Sequence, residues 1–268
     1  MRLSTAAASQ NNDIPVTAGA VGPLSERVAI VTGASSGLGA RFAIVLADAG
    51  ANVVACGRRL ERLEEVAATT QRIHPLRCDV TDAADRAVLV ETTLERFGRV
   101  DVCVNNAGVS SGGPERQATL DAFRSVLRVN IEALFGLSQA VGAHMRQRGS
   151  GSVVNVSSMF SLVASSPVPE AGYVASKSAV NGLTRELAVQ WARDGVRVNA
   201  IAPGWFPSEM TAGLLEDERT TRWLERQCPM GRVGRIDELD GVLLFLASDA
   251  SSYCTGQVIT VDGGWTIR

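Results

Sequence analysis

Short, nearly continuous apolar runs alternate with longer stretches of helical periodicity along most of this chain, and that alternation constrains the fold more than anything else in it. "RVAIVT" (27–32), "NVVAC" (52–56), "HPLRCD" (74–79), "VDVCVNN" (100–106), "GSVVNVSS" (151–158), "VRVNAIAPG" (196–204) and "QVITVDGG" (257–264) read as strands. Between them lie amphipathic patterns, including one from about Leu120 to Gln147 and another over residues 172–192. Strands filled with Val, Ile and Ala on both sides of the pleat are expected where both faces are covered. Strands alternating with helices imply βαβ units and a parallel sheet. The expected fold class is therefore α/β: a single doubly wound domain over residues 25–268, with a mostly seven-stranded parallel sheet and helices on both faces. Its ligand should sit beyond the carboxyl ends of the strands, where the strand order reverses.

Composition removes several other classes. A net charge of −2 and an aromatic content of 5% give neither a basic surface nor stacking platforms for nucleic acid. Cys56, Cys78, Cys103, Cys228 and Cys254 are scattered and odd in number, which argues against a disulfide framework and a zinc site. The first three sit in or beside apolar runs, as core fillers do. His74 and His144 lack metal-ligand spacing, so no metal is expected. No apolar run is long enough for a membrane span. Residues 1–24 are small and polar, without a signal-peptide core, and read as a flexible tail. A cytoplasmic setting fits these features.

The first strand runs into "VTGASSGLGARFAIVLADAG", with Gly33, Gly37 and Gly39 spaced GxxxGxG. Glycine lets the backbone turn tightly and approach a pyrophosphate, and the following helix offers unpaired N–H groups at its start. Ser35, Ser36 and Leu38 lie between these glycines and join them as cofactor-binding candidates. At the end of the second strand a dinucleotide fold usually carries an acid for the ribose 2′-OH, whereas a nearby Arg accommodates a 2′-phosphate. Here Gly57 stands at that place and Arg58 and Arg59 follow. A guanidinium fork matches phosphate geometry. This favours NADP(H), with Arg58 as the main contact, while NAD(H) is possible. Asp79, with Val80 beside it, is placed either to meet the adenine amino group or to cap the next helix, where Asp82 also stands.

"YVASK" (173–177) sets Tyr173 and Lys177 one helical turn apart on one face. With "TGASSGLG" (32–39), "NNAG" (105–108), "VNIEALF" (129–135), "NVSS" (155–158), "PGWFPSEM" (203–210) and "VDGG" (261–264) in this order, the chain resembles the short-chain dehydrogenase/reductase family of Rossmann-fold enzymes over about residues 27–265. Its last part, residues 234–264, is similar to the oxoacyl-reductase-like and polyol-dehydrogenase-like branches.

The resemblance implies reversible hydride transfer between a nicotinamide and a carbonyl or alcohol. It assigns Tyr173 as general acid/base and Lys177 as the neighbouring cation that also binds the nicotinamide ribose. A free phenol has a pKa of about 10, and a nearby positive charge favours phenolate. Of Ser157 and Ser158, the second matches the substrate-polarising hydroxyl, although the interval to Tyr173 is longer than usual because of the loop "SLVASSPVPE". Asn130 matches the asparagine that holds a water in the proton relay. Asn106, Ala107 and Gly108 match the stretch passing the adenosine ribose, whereas Asn105 reads as structural. Pro203 and Gly204 begin the loop past the nicotinamide, and Ser208 stands where a threonine near the cofactor is common. Residues 205–235 correspond to a substrate lid, with helical spacing at Leu214, Leu215, Trp223 and Leu224. In the relatives the fifth and sixth helices pair between subunits, which implies a homotetramer. The implied substrate is a small carbonyl or alcohol. Alternatives are a catalytically silent dinucleotide sensor on the same fold, an NAD-dependent polyol or sugar dehydrogenase, and a methyltransferase with a glycine-rich turn.

Overall fold

The computed structural model describes residues 22–110 and 119–267. Seven parallel strands form one sheet: β1 (Val28–Thr32), β2 (Asn52–Gly57), β3 (Ile73–Arg77), β4 (Val102–Asn105), β5 (Gly151–Val156), β6 (Val196–Pro203) and β7 (Val258–Val261). Their order is β3-β2-β1-β4-β5-β6-β7. Val31 pairs with Ala55 on one side and with Val104 on the other. The chain therefore winds outward in one direction through β2 and β3, then crosses back over β1 to begin β4. The crevice that this reversal opens lies at the carboxyl ends of β1 and β4.

Helices cover both faces. On one, α1 (Gly37–Asp48) and α9 (Asp240–Ala247) bury Phe42, Leu46, Leu243 and Leu246 against β-strand residues such as Val31, Val53 and Val154. On the other, α3 (Ala83–Phe97), α5 (Leu134–Arg148) and α6 (Ala171–Trp191) bury Leu89, Val141, Met145 and Trp191 against Ile30, Val54, Cys103 and Val153. Gly142 on α5 makes room for the Trp191 ring of α6, because a Cβ there would stand 2.6 Å from that ring. Cys56, Cys78 and Cys103 are among the buried residues of this second cluster. The remaining α-helices are α2 (Leu60–Ala67), α4 (Leu120–Leu127) and two short ones, α7 (Ala212–Leu215) and α8 (Glu218–Gln227). None of the described helices is long and apolar enough to cross a membrane.

Beyond shifts of one to three residues at the ends of strands and helices, two features differ from the sequence reading. The helix expected from Leu120 to Gln147 is interrupted by a π-helical segment, Arg128–Ala133, between α4 and α5. The tail was expected to end at residue 24, and its first 21 residues lie outside the described ones. Leu24, however, is 1% exposed and packs in the core, its N–H bonded to the Ala49 carbonyl at 3.0 Å. A leucine at that position stays in the core because the turn of residues 22–25 delivers β1 into the sheet.

Candidate active site

A cleft of about 750 Å³ opens at the carboxyl ends of the strands. Its floor is the turn from β1 into α1. Gly33 and Gly37 hold φ of +65° and +52°, a region costly for any side chain. A Cβ on Gly39 would stand 2.2 Å from the Gly33 carbonyl oxygen, so only glycine lets α1 start this close to β1. The first turn of α1 carries no acid, and Ser36 makes no side-chain cap bond there. The helix amino terminus therefore keeps its N–H donors and positive dipole end for an anion. This bare backbone fits a dinucleotide pyrophosphate.

The wall opposite is the chain leaving β4. Thr32 Oγ1 accepts from the N–H groups of Asn106 and Ala107, both at 3.0 Å, and Asn106 Nδ2 donates to the Thr32 carbonyl at 2.9 Å. The Asn106 side chain is thus spent on bracing the glycine turn. Asn105 is buried in a separate network, donating to Ser138 Oγ and Asn155 Oδ1 at 2.9 Å each. Gly108 lies against the catalytic candidates, since a Cβ there would sit 3.4 Å from both Asn130 Oδ1 and Lys177 Nζ.

Beyond the end of β2 the two arginines diverge. Arg58 is exposed and makes no hydrogen bond or ion pair among the described residues. Arg59 forks onto the Glu209 carboxylate at 3.0 and 2.9 Å and also donates to Ser35 Oγ and Ser36 Oγ. Ser36 Oγ in turn donates to Glu209 at 2.9 Å. The guanidinium and this hydroxyl hold the Glu209 carboxyl below its ordinary pKa. Gly57, Ser35, Arg58 and Arg59 all line the cleft, and the missing side chain at Gly57 leaves room beside Ser35. Asp79 accepts from Thr81 N–H and Oγ1 at 2.9 and 2.8 Å, which lowers its pKa. It does not cap α3. Asp82 does, accepting from Ala84 and Asp85. Asp79 and Val80 line the cleft instead.

At the other end α6 presents Tyr173 and Lys177 beside the end of β5. Lys177 is 4% exposed and donates from Nζ to the Val156 carbonyl at 2.8 Å. Its nitrogen lies 5.6 Å from the centroid of the Tyr173 ring. Desolvation lowers the lysine pKa to about 8 and pushes the phenol up to about 12, while the Ser158 hydroxyl beside the phenol pulls it back. Burial, and not the neighbouring ammonium, sets the direction of the shift at the phenol. The two serines also part. Ser157 Oγ donates inward to Asn181 Oδ1 at 2.7 Å, with the Lys177 carbonyl at 3.2 Å. Ser158 Oγ accepts a 3.2 Å bond from Phe160 N–H and faces the Tyr173 phenol, to which it is hydrogen-bonded, so it lies on the cleft side with the phenol. Asn130 sits in the π-helical segment, where such bulges often mark functional sites. Its carboxamide is engaged at both ends: Oδ1 accepts from Val109 N–H, and Nδ2 donates to the Val109 carbonyl and to Ser176 Oγ, each at 2.9 Å.

Pro203 ends β6, and Gly204 follows where a Cβ would collide with Asp262 Cα at 2.6 Å. Ser208 bonds Thr211 and lies over Gly37, whose absent Cβ would meet Ser208 Cβ at 3.5 Å. The segment expected to be a lid carries two short helices, α7 and α8. Leu224 is buried with Met159, Cys228 and Trp265, with Leu215 and Trp223 packed against them. Glu209, Thr211 and Arg128 also line the cleft. The sequence reading singled out none of these three, and only their place on the folded loops marks them.

These features agree with the similarities of the chain to known proteins. The family model described as enoyl-(acyl carrier protein) reductase matches residues 33–266. Among curated proteins, the 2-dehydro-3-deoxy-D-gluconate 5-dehydrogenase of Dickeya dadantii (strain 3937) is 38% identical, over 91% of this chain and 97% of its own. The gluconate 5-dehydrogenase of Gluconobacter oxydans (strain 621H) is 39% identical, over 91% of this chain and 96% of its own. Among solved structures, a gluconate 5-dehydrogenase from Burkholderia cenocepacia J2315 in complex with NADP and tartrate superposes with a TM-score of 0.87. It is 36% identical, over 91% of this chain and 97% of that one. On this family match and these near full-length similarities, the chain belongs to the short-chain dehydrogenase/reductase family, oxidoreductases that act on CH–OH groups.

Proposed function

We propose that the chain is an NADP(H)-dependent oxidoreductase interconverting a ketone and a secondary alcohol, with Tyr173 as its acid and base. The observation that carries the reading is the hydrogen-bonded meeting of the Tyr173 phenol with the Ser158 hydroxyl in the cleft whose floor is the glycine turn. When bound, the reduced nicotinamide supplies the hydride. Ser158 donates a hydrogen bond to the carbonyl oxygen and polarises it. Tyr173 delivers the proton to the same oxygen, and takes it back in alcohol oxidation. Lys177 holds a positive charge near the phenol and near Gly108, where a ribose hydroxyl can reach it. Asn130 anchors Val109 and Ser176 and so fixes the chain on both sides of the lysine. The helix dipole and N–H groups of α1 take the pyrophosphate, Asp79 and Val80 flank the adenine, and Arg58 takes the 2′-phosphate. Similarity to sugar-acid dehydrogenases makes a polyhydroxy acid the first substrate class to try.

The test follows NADPH absorbance, with NADH in parallel, across 5-keto-D-gluconate, an acetoacetyl thioester, ketoses, a diketone and a bulky cyclic ketone. Turnover with NADPH on one class is expected. NADPH binding with no turnover on any of them would favour the silent-sensor reading. A homotetramer is the accompanying proposal. Phe135 on α5 and Val189 on α6 are 42% and 78% exposed, and such apolar side chains gain by burial between subunits. Light scattering on the purified protein is expected to give four times the chain mass; the monomer mass would remove the proposal.

A further inference from the structure

Tyr173, Lys177 and Asn181 follow one another at four-residue intervals on α6, so all three lie on one face. The first two belong to the proposed chemistry. Asn181 does not reach the cleft, yet it is 4% exposed and satisfied at both ends of its carboxamide. Oδ1 accepts from Ser157 Oγ at 2.7 Å. Nδ2 donates to Ser161 Oγ at 2.8 Å, and Ser161 Oγ donates to the Ser158 carbonyl at 2.5 Å. Donor and acceptor directions are consistent along the whole chain of bonds, in which each bond polarises the next.

This chain closes a loop around Ser158. The residue before it is held to α6 through Ser157. Its own carbonyl is held to the same amide through Ser161. From one side chain, α6 thus grips both ends of the short turn (Met159–Ser161) that begins at Ser158. Apart from its bond with the Tyr173 phenol, the Ser158 hydroxyl has only a long 3.2 Å bond from Phe160 N–H, so little besides its backbone holds it against that phenol. Its position relative to Tyr173 depends on the backbone that carries it, and Asn181 fixes that backbone to the helix that carries Tyr173.

We infer that Asn181 is a positioning residue for the reaction: it sets the Ser158 hydroxyl against the Tyr173 phenol by clamping the turn after β5 onto α6. The inference rests on the role proposed for Ser158. An apolar residue at 181 would take away the acceptor of Ser157 Oγ and the donor to Ser161 Oγ, leaving the turn tied to α6 by two longer bonds, Ser157 Oγ to the Lys177 carbonyl at 3.2 Å and Ser178 Oγ to the Ser161 carbonyl at 3.4 Å. A displacement of the order of 1 Å at a reacting group costs about a hundredfold in rate.

The test is a double-mutant cycle read on the carbonyl of the panel that turns over fastest. Asn181→Ala is expected to lower kcat by about 10- to 100-fold with the dissociation constant for NADPH within about twofold of wild type. Ser161→Ala, which removes one bond of the same clamp, is expected to lower kcat in the same direction by less. In a Ser158→Ala background both substitutions are expected to cost nothing further, because the group they position is gone. Undiminished losses in that background would mean that Asn181 acts elsewhere, and wild-type kcat in Asn181→Ala would overturn the inference outright. A Ser158→Ala variant with normal kcat, or a wild type silent on the whole panel, would instead remove the proposed reaction on which the inference stands. If Asn181→Ala does not fold, the Ser161→Ala arm decides by the same cycle.

Discussion

Tyr173→Phe removes one oxygen atom and is expected to lower turnover by about a thousandfold or more, while NADPH binds as before. A positioned general acid contributes about 10²–10⁴ in rate, and the phenylalanine ring fills the same space on α6. Direction matters for the pH profile. Burial holds the phenol pKa at about 12, so the acid is protonated at neutrality and ketone reduction finds its proton in place. Alcohol oxidation needs the phenolate, and its rate should climb as pH rises. Lys177 titrates first. Its lowered pKa of about 8 means that the ammonium is present below that pH and lost above it. Reduction by the wild type is therefore expected to decline above about pH 8 as the cation next to the phenol disappears. Stopped-flow single turnovers over a pH series, with a fluorescence titration of NADPH, check both statements. Near-normal turnover in Tyr173→Phe would mean that another acid serves the carbonyl.

The strands were legible because a strand buried on both faces has to be written in Val, Ile and Ala, and a short run of these between turn residues has few other folds open to it. The glycine turn was legible for a similar reason. Positive φ at Gly33 and Gly37 and the packing of Gly39 under the Gly33 carbonyl exclude side chains, so the need is recorded in residue type. The π-helical segment at Arg128–Ala133 left no such record. Apolar spacing in the 120–148 region fits an uninterrupted helix, and only the pinning of Asn130 to Val109 and Ser176 shows why the extra residue is accommodated there. Asn181 was illegible in the same way. An asparagine within a helix reads as a solvated position until the loop after β5 is laid against it. Arg58 and Arg59 are adjacent and chemically identical, and sequence gives no means to tell which one the loop after β6 engages. The choice depends on Glu209, a residue 150 positions later than Arg59.

That separation of the two arginines sets the expected outcome at the adenosine end. Arg58→Asp is expected to reverse cofactor preference. A charge-assisted hydrogen bond is worth about 1.5–3 kcal/mol, and tenfold in affinity corresponds to about 1.4 kcal/mol. NADPH should therefore bind about 10- to 100-fold more weakly. NADH should gain, because the new carboxylate stands near Gly57, where an acid would accept from a ribose 2′-OH. Arg59 is expected to behave otherwise. Its fork is taken by Glu209, and both side chains are substantially exposed, at 47% and 60%. An exposed pair is worth about 0–1 kcal/mol. Glu209→Gln, which frees Arg59, should then raise NADPH affinity by no more than about fivefold. Arg59→Ala should change the NADPH-to-NADH ratio little while loosening the loop of residues 205–211, to which Glu209 belongs. Dissociation constants for both cofactors, measured by fluorescence titration on the three variants at two salt concentrations, separate the two residues. If the ratio collapses in Arg59→Ala and survives in Arg58→Asp, the phosphate contact belongs to Arg59. Glu209 then has to leave its place before NADPH can enter.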